Sequence, residues 1–303
     1  MRGEIYLVLT TLLAALGWGA SKMVVAEMPG DLFIGSRFLI AGLLLLPSCY
    51  KQFNTLDRRQ FAYLVSVGVI LSIALQVWVY AVSRTSSLSE GAFIMSLAVI
   101  LAPLTAWMLF RERPNKPYWI ALPVAIVGMM LLTLTDGWTL EQSQLGFLAA
   151  SVLLSAHFVL NKRLTASVPT LLSICIQLTV VGISGLLFAQ FNAQLNAISG
   201  SENVSFALTQ FELSNAVLFW FAISIVGATV LRYLVQTLGQ SSVKIETASL
   251  IMILEPLWTL AISLSLLGEA FHLQKVVGGL VILSSLVLYR RRSAAQNKRV
   301  QNC

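Results

Sequence analysis

Ten runs of about twenty mostly apolar residues, separated by short polar connectors, set the pattern of this chain. They cover roughly 4–25, 31–50, 61–83, 88–110, 117–135, 143–162, 169–191, 215–238, 245–267 and 271–290. A run of about 20 apolar residues crosses a bilayer core as one α-helix, and a helix satisfies its own backbone groups in lipid. Within the runs, polar residues recur at helical spacing and so share a face. The first run carries Thr11, Trp18 and Lys22. The third carries Ser72, Gln76, Tyr80 and Ser83, the sixth His157 and Asn161, and the seventh Ser173 and Gln177. The eighth carries Thr229, Arg232 and Gln236, with Tyr233 beside Arg232. The pattern predicts an all-α integral membrane protein of ten transmembrane helices. Only the connector at roughly 192–214 is long, and it is rich in Asn, Ser and Gln.

The ninth run holds the most demanding chemistry. Glu255 stands near its middle, next to Pro256, in Ser249-Leu250-Ile251-Met252-Ile253-Leu254-Glu255-Pro256-Leu257-Trp258-Thr259-Leu260. At the helical rise this carboxyl is about 15 Å deep. An ionised group there is costly unless it is neutral, paired or wetted. The proline removes a backbone donor and loosens the preceding turn. Met252, Trp258, Thr259 and Ser263 fall on the Glu255 side of the helix. Arg232, about 9 Å into the eighth run, reaches far enough to pair with Glu255 on the next helix, and such a pair would let both stay buried.

Composition agrees. Of 303 residues, 57% are hydrophobic and only 11% charged, against about 25% charged in a soluble domain; the mean hydropathy is +0.81. The net charge of +7 does not signal nucleic acid, because Lys and Arg concentrate in short connectors and the C-terminal tail. With the N-terminus inside, fifteen Lys and Arg fall on the inner side and only Arg84 and Lys275 on the outer. That asymmetry predicts both termini in the cytoplasm and the 192–214 connector outside. Cys49, Cys175 and Cys303 suggest neither a disulfide framework nor a metal site. The first run is too long for a signal peptide and reads as an uncleaved first helix.

The two halves repeat. Pro29, Arg37 and Gly42 match Pro169, Gln177 and Gly182 at an offset of 140; after the long connector Glu112 matches Glu269, and Ala121 matches Gly278, at 157. The repeats are residues 1–136 and 143–292, followed by a basic cytoplasmic tail, 293–303. Five spans per copy insert the copies in opposite senses, as in many secondary transporters, whose sites lie mid-membrane between the repeats. The copies are not identical, since Glu255 has no acidic counterpart in the first.

Three stretches resemble the EamA family of the drug/metabolite transporter superfamily. They are Gly35-Ser36-Arg37-Phe38-Leu39-Ile40-Ala41-Gly42, Phe93…Pro103…Arg111-Glu112-Arg113-Pro114, and Leu254-Glu255-Pro256…Leu267-Gly268-Glu269. The resemblance implies a ten-helix transporter of the bacterial inner membrane, several such proteins being exporters of amino acids and related metabolites. It also implies a central cavity lined by the first four helices of each repeat, with the fifth helices outside at a homodimer contact.

The candidate substrate-binding residues are therefore Arg37, Gln76, Tyr80, His157, Asn161, Gln177, Arg232, Tyr233, Gln236, Glu255 and Trp258. For several a structural role competes. Arg37 could be tied to Asp31, one and a half turns away; Lys22 suits snorkelling; His157 with Asn161 reads as a proton-responsive pair or an interhelical hydrogen bond. Trp18 and Trp107 read as packing or interface aromatics, and Gly278-Gly279 as a close helix contact. Arg37, Lys22 and Arg232 against one Glu255 favour a carboxylate-bearing solute.

The expectation is a secondary exporter of small organic metabolites such as amino acids, with a small-molecule substrate and membrane lipid as partners and no cofactor. Glu255 is the candidate for exchanging a proton for the solute. The alternatives are a flippase for lipid-linked sugars and an integral-membrane enzyme. An enzyme would need paired acids, a metal cluster or a nucleophile with its base, and the sequence displays none; a receptor or scaffold would need a soluble domain. No nucleotide-binding signature is present.

Overall fold

A computed structural model describes residues 2–114, 116–133, 141–198, 214–242, 251–252 and 254–301. Most of the long polar connector and the start of the ninth run, including Ser249, Leu250 and Ile253, lie outside the described residues. The helices follow the ten apolar runs. The first to seventh are Arg2–Val24, Gly30–Cys49, Arg58–Arg84, Leu88–Phe110, Lys116–Thr133, Gln142–Leu164 and Thr170–Ile198. The eighth is continuous but mixed, an α-helix Asn215–Ala222, a π-helix Ile223–Leu231 and an α-helix Arg232–Ser242. The ninth is described as a helix over Glu255–Leu266, and the tenth is Leu273–Gln301. Seven of the ten are long and apolar enough to cross a membrane; the fifth and tenth contain shorter apolar helices, Lys116–Leu131 and Leu273–Tyr289. The protein is an integral membrane protein of ten helices.

The halves repeat in structure as in sequence. The third helix is capped by Asp57, whose partner Gln60 accepts from the Asp57 N–H at 3.1 Å. The eighth is capped by Ser214, whose hydroxyl accepts from the Val217 N–H at 3.3 Å. These caps satisfy helix-end donors and sit 157 residues apart. Among the described residues only two backbones take a positive φ, Arg111 at 58° and Gly268 at 64°, again 157 apart, and each ends the fourth helix of its copy just before a glutamate. Gly is the expected residue there; the first copy places an arginine in the same left-handed conformation.

Packing obeys the exchange as well. The second helix packs on the seventh and the fifth on the tenth, each against its own counterpart; third on sixth is mirrored by eighth on first, and fourth on sixth by ninth on first. The second and seventh helices touch backbone to backbone. A Cβ on Gly182 would lie 2.4 Å from the Leu39 nitrogen, and one on Gly42 would lie 2.5 Å from the Thr179 hydroxyl and 3.0 Å from its nitrogen. Leu39 and Thr179 are themselves 140 apart, so one contact is made twice by equivalent residues. Five helices alternate direction, so the second copy starts opposite to the first and the halves are inverted repeats.

Candidate functional site

Two polar clusters meet at the seam between the halves. The first surrounds Glu255. The described part of the ninth helix begins at this residue, with Pro256 in its first turn, where a missing N–H costs no hydrogen bond. Arg232 Nη2 lies 3.7 Å from one Glu255 oxygen, and Trp18 Nε1 donates to the other at 3.2 Å. About a quarter of each side chain of the pair stays accessible, 26% for Arg232 and 24% for Glu255. Trp18 is held edge-on to Trp78 at 5.1 Å and against Phe147 at 5.8 Å. Phe147 in turn fits beside Gly91, where a Cβ would come within 2.5 Å of its ring. Packing therefore fixes the direction of the Trp18 N–H. Trp258 is on the same helix as Glu255, and its Nε1 is buried without a hydrogen-bond partner.

Arg37 belongs to the same cluster. It is only 6% exposed, yet its hydrogen bonds go to hydroxyls, Nε to Thr229 Oγ1 at 2.9 Å and Nη1 to Ser21 Oγ at 3.0 Å. Each hydroxyl sends its own hydrogen to a backbone carbonyl, Thr229 to Ser224 at 2.8 Å and Ser21 to Gly17 at 2.5 Å. Both are left as acceptors, the role a guanidinium requires. The rings of Phe33 and Phe38 lie 5.5 and 5.1 Å from the Arg37 carbon, within cation–π range.

Asp31 is not the partner of Arg37. One of its oxygens accepts from the Leu32 N–H at 2.8 Å, and the other from Asn192 Nδ2 at 3.0 Å, because a residue in the first helical turn is better placed to cap its own helix.

The π-helix builds this junction. Its wider turns pair each N–H with a carbonyl five residues back, and the Thr229 side chain repeats that spacing by reaching Ser224. One side of the eighth helix thus offers Thr229 to Arg37, while Arg232, the first residue after the π-segment, reaches Glu255. Close approach of the first helix is allowed by Gly17, where a Cβ would fall 2.7 Å from Ala228 Cβ and 3.6 Å from Arg37 Nη2.

The second cluster is an amide and imidazole network. His157 Nε2 meets Gln177 Oε1 at 2.9 Å, and Gln177 Nε2 donates to Asn161 Oδ1 at 2.9 Å and to Ser173 Oγ at 2.7 Å. The Gln177 amide uses its hydrogens on Asn161 and Ser173, so its carbonyl accepts from His157 Nε2–H. His157 Nδ1 is then a buried acceptor without a partner. The sequence paired His157 with Asn161; the structure places Gln177 between them. A cavity of about 280 Å³ opens here, lined among others by His157, Asn161, Lys162, Ser173, Gln177 and Tyr233. Tyr233 joins the clusters, since the Arg232 guanidinium lies 5.6 Å from its ring centroid.

The remaining candidates are dispersed. Gln236 Oε1 and Gln76 Nε2 are buried without partners, the latter near Gly185 of the seventh helix. Tyr80 is 39% exposed, with the Arg84 guanidinium 3.7 Å from its ring centroid, and the structure brings it to neither cluster. Its stripe starts buried at Ser72, which accepts from Ser184 Oγ at 2.7 Å, and turns outward along the helix.

Of the further charged groups inside the bundle the sequence weighs only Lys22, as a snorkelling residue. At the end of the bundle opposite the cavity, Glu90 pairs with Lys275 Nζ at 3.2 Å and accepts from Gln144. Glu269 accepts from the hydroxyls of Ser87, Ser89 and Ser263. Lys22 donates to the carbonyls of Val82 at 3.0 Å and Thr85 at 2.5 Å, at the C-terminus of the third helix, where a cation is favoured. Ser87 caps the fourth helix and accepts from the Glu90 N–H, and that serine with a glutamate three residues on was the available signal.

Comparison with known proteins gives one family. The chain is 27% identical over 312 residues to the uncharacterized inner membrane transporter YicL of Salmonella typhimurium, covering 95% of this chain and 97% of that one. It is 25% identical over 297 residues to an uncharacterized transporter of Archaeoglobus fulgidus, covering 95% and 87%. It is 23% identical to the uncharacterized transporter YvbV of Bacillus subtilis, covering 97% and 93%. A solved structure superposes over 94% of each chain with a TM-score of 0.59 at 13% identity, a likeness of fold alone. Residues 1–134 and 143–291 each match the EamA-like transporter family, two copies divided where the structure divides, and the chain belongs to that family.

Proposed function

We propose that this protein is a secondary exporter of small organic metabolites, with amino acids and their analogues the leading class. One observation supports the reading most: the Arg232–Glu255 pair, only a quarter accessible, stands beside an amide-lined cavity at the seam of two inverted repeats. Ion pairs inside a membrane protein mark pathways for solutes and protons, and repeat interfaces are where secondary transporters bind. The cavity offers hydroxyl, amide and imidazole groups among apolar walls, the mixture that orients a small amphipathic solute. Glu255 is the group that exchanges a proton for the solute, and Arg232 holds the carboxylate when the proton has left. Gln177, Asn161, His157 and Tyr233 line the route, and the buried Arg37 adds its charge through its tie to the eighth helix. Both termini lie in the cytoplasm, as the basic connectors require, and the fifth and tenth helices, packed on each other away from the cavity, are the candidate dimer contact.

The test is a metabolite profile of medium from cells overproducing the protein beside cells lacking it. The reading predicts accumulation of one or a few small amino-acid-like solutes outside the overproducing cells. Identical profiles would overturn it.

A further inference from the structure

The charged groups at the seam and at the opposite end of the bundle differ in one respect that bears on the solute. Among the described residues inside the bundle at the end opposite the cavity, Lys22 and Lys275 stand with Glu90 and Glu269, and each has charged or polar partners. At the seam the described charges do not balance. Arg37 is tied to Thr229, three residues before Arg232 on the eighth helix, and Glu255 is the one carboxylate with them among the described residues. Among the described residues Arg37 bonds only to hydroxyls, and Arg232 keeps a buried Nε–H with no acceptor, although a guanidinium offers five N–H donors. Apart from the exposed Lys162 at the rim of the cavity, the seam therefore carries one uncompensated positive charge inside a membrane protein, where such a charge is costly. Its donors are forked guanidinium groups, which match the two oxygens of a carboxylate.

We propose that this site is completed by an organic carboxylate of net charge −1, and that the transported solute is such a monoanion rather than a zwitterion or a cation. The proposal rests on the transporter reading above and narrows its solute class, within amino acids and analogues, to acidic members. The carboxylate takes the free donors of Arg232, the buried Arg37 adds its charge from the other side of the eighth helix, and the rest of the solute occupies the cavity past Tyr233. His157 Nδ1, a buried acceptor without a partner, faces a hydroxyl or N–H donor on the solute. The charge requirement explains why Arg37 is held by two hydroxyls with their hydrogens turned away. A carboxylate in their place would neutralise the site before any solute arrived.

The experiment loads vesicles containing the purified full chain with a whole-cell small-molecule extract and identifies by mass spectrometry which solutes leave. The readout is the ratio of monoanion to zwitterion flux. The wild type should release monocarboxylates of net charge −1. Arg232→Gln, which brings the seam to zero, should lower the ratio by about tenfold or more. Arg232→Gln with Glu255→Gln, which restores one positive charge through Arg37, should recover most of it. Arg37→Gln should lose the preference and Arg37→Lys should keep it, and this second variant separates charge from the interhelical tie. Release of zwitterions or cations in preference to monoanions would overturn the proposal and leave the transporter reading standing. Equal loss in Arg37→Lys and Arg37→Gln, or no recovery in the double variant, would also overturn it. Release of no solute at all would overturn the transporter reading itself.

Discussion

Gly182→Ala should destabilise the protein, and Gly227→Ala should not. Both glycines lie within helices, where alanine is intrinsically favoured by about 1 kcal/mol. A methyl at Gly227 meets nothing closer than 4.0 Å, whereas at Gly182 it would stand 2.4 Å from the nitrogen and 2.5 Å from the Cα of Leu39. Those are backbone atoms and have no rotamer to change. Carbon atoms rest about 3.5–4.0 Å apart, so the second and seventh helices must separate by about 1 Å. Overpacking of this kind costs roughly 1–3 kcal/mol, which cancels the propensity gain and leaves a net loss of up to about 2 kcal/mol.

The strain also reaches the site. Gln177 is five residues from Gly182 on the same helix, and its 2.9 Å contact with His157 does not survive a displacement of that size. At Gly42 the nearest atom is the Thr179 hydroxyl, which can rotate, so Gly42→Ala should cost less. The double variant should cost less than the sum, because helices already parted accept both methyls. Thermal unfolding in detergent measures all four. Gly182→Ala as stable as Gly227→Ala would refute the reasoning.

Three further outcomes follow from the buried polar groups. At 3.7 Å the Arg232–Glu255 attraction is about 4 kcal/mol at an effective dielectric constant near 20, before the cost of desolvation. Removing one partner should cost about 2 kcal/mol, less than for a fully buried pair, and removing both should cost less than either alone; strict additivity in a double-mutant cycle would contradict the pair. Glu90→Gln leaves Lys275 buried without its anion and should lower stability by roughly 2–3 kcal/mol, with Glu90→Gln/Lys275→Gln partly restoring it in the same melt. Trp18→Phe keeps the packing on Trp78 and Phe147 but removes the N–H to Glu255, for a loss of about 1–2 kcal/mol, and that loss should shrink when Glu255 is already Gln.

Much of this was legible in the sequence. The offset of 157 read from Glu112 and Glu269 also relates the caps at Asp57 and Ser214 and the left-handed residues at Arg111 and Gly268, because a repeat conserves backbone geometry along with residue spacing. The pairing of Arg232 with Glu255 followed from two costly charges on consecutive helices. Helical spacing put His157 with Asn161 and Ser173 with Gln177 on shared faces, and those faces meet. The π-segment was not legible, since its apolar residues, Ile223 to Leu231, suit either helix and only the hydrogen-bond register differs. Nor was the donation from Trp18 to Glu255, made across 237 positions. Arg37 was matched to Asp31 by proximity along one helix, whereas its partners Ser21 and Thr229 lie on two others. Glu90 escaped notice because Lys275, which balances it, is distant in the chain.

The most direct test of the account is flux in vesicles containing the purified protein under an imposed pH gradient. The wild type should move small organic solutes at a rate that depends on the gradient. Glu255→Gln should still bind them but lose that dependence. Unchanged pH dependence in Glu255→Gln would make Glu255 structural and turn attention to His157 as the coupling group. A wild-type protein that moves no small solute, yet transfers a lipid-linked sugar between leaflets, would contradict the central claim.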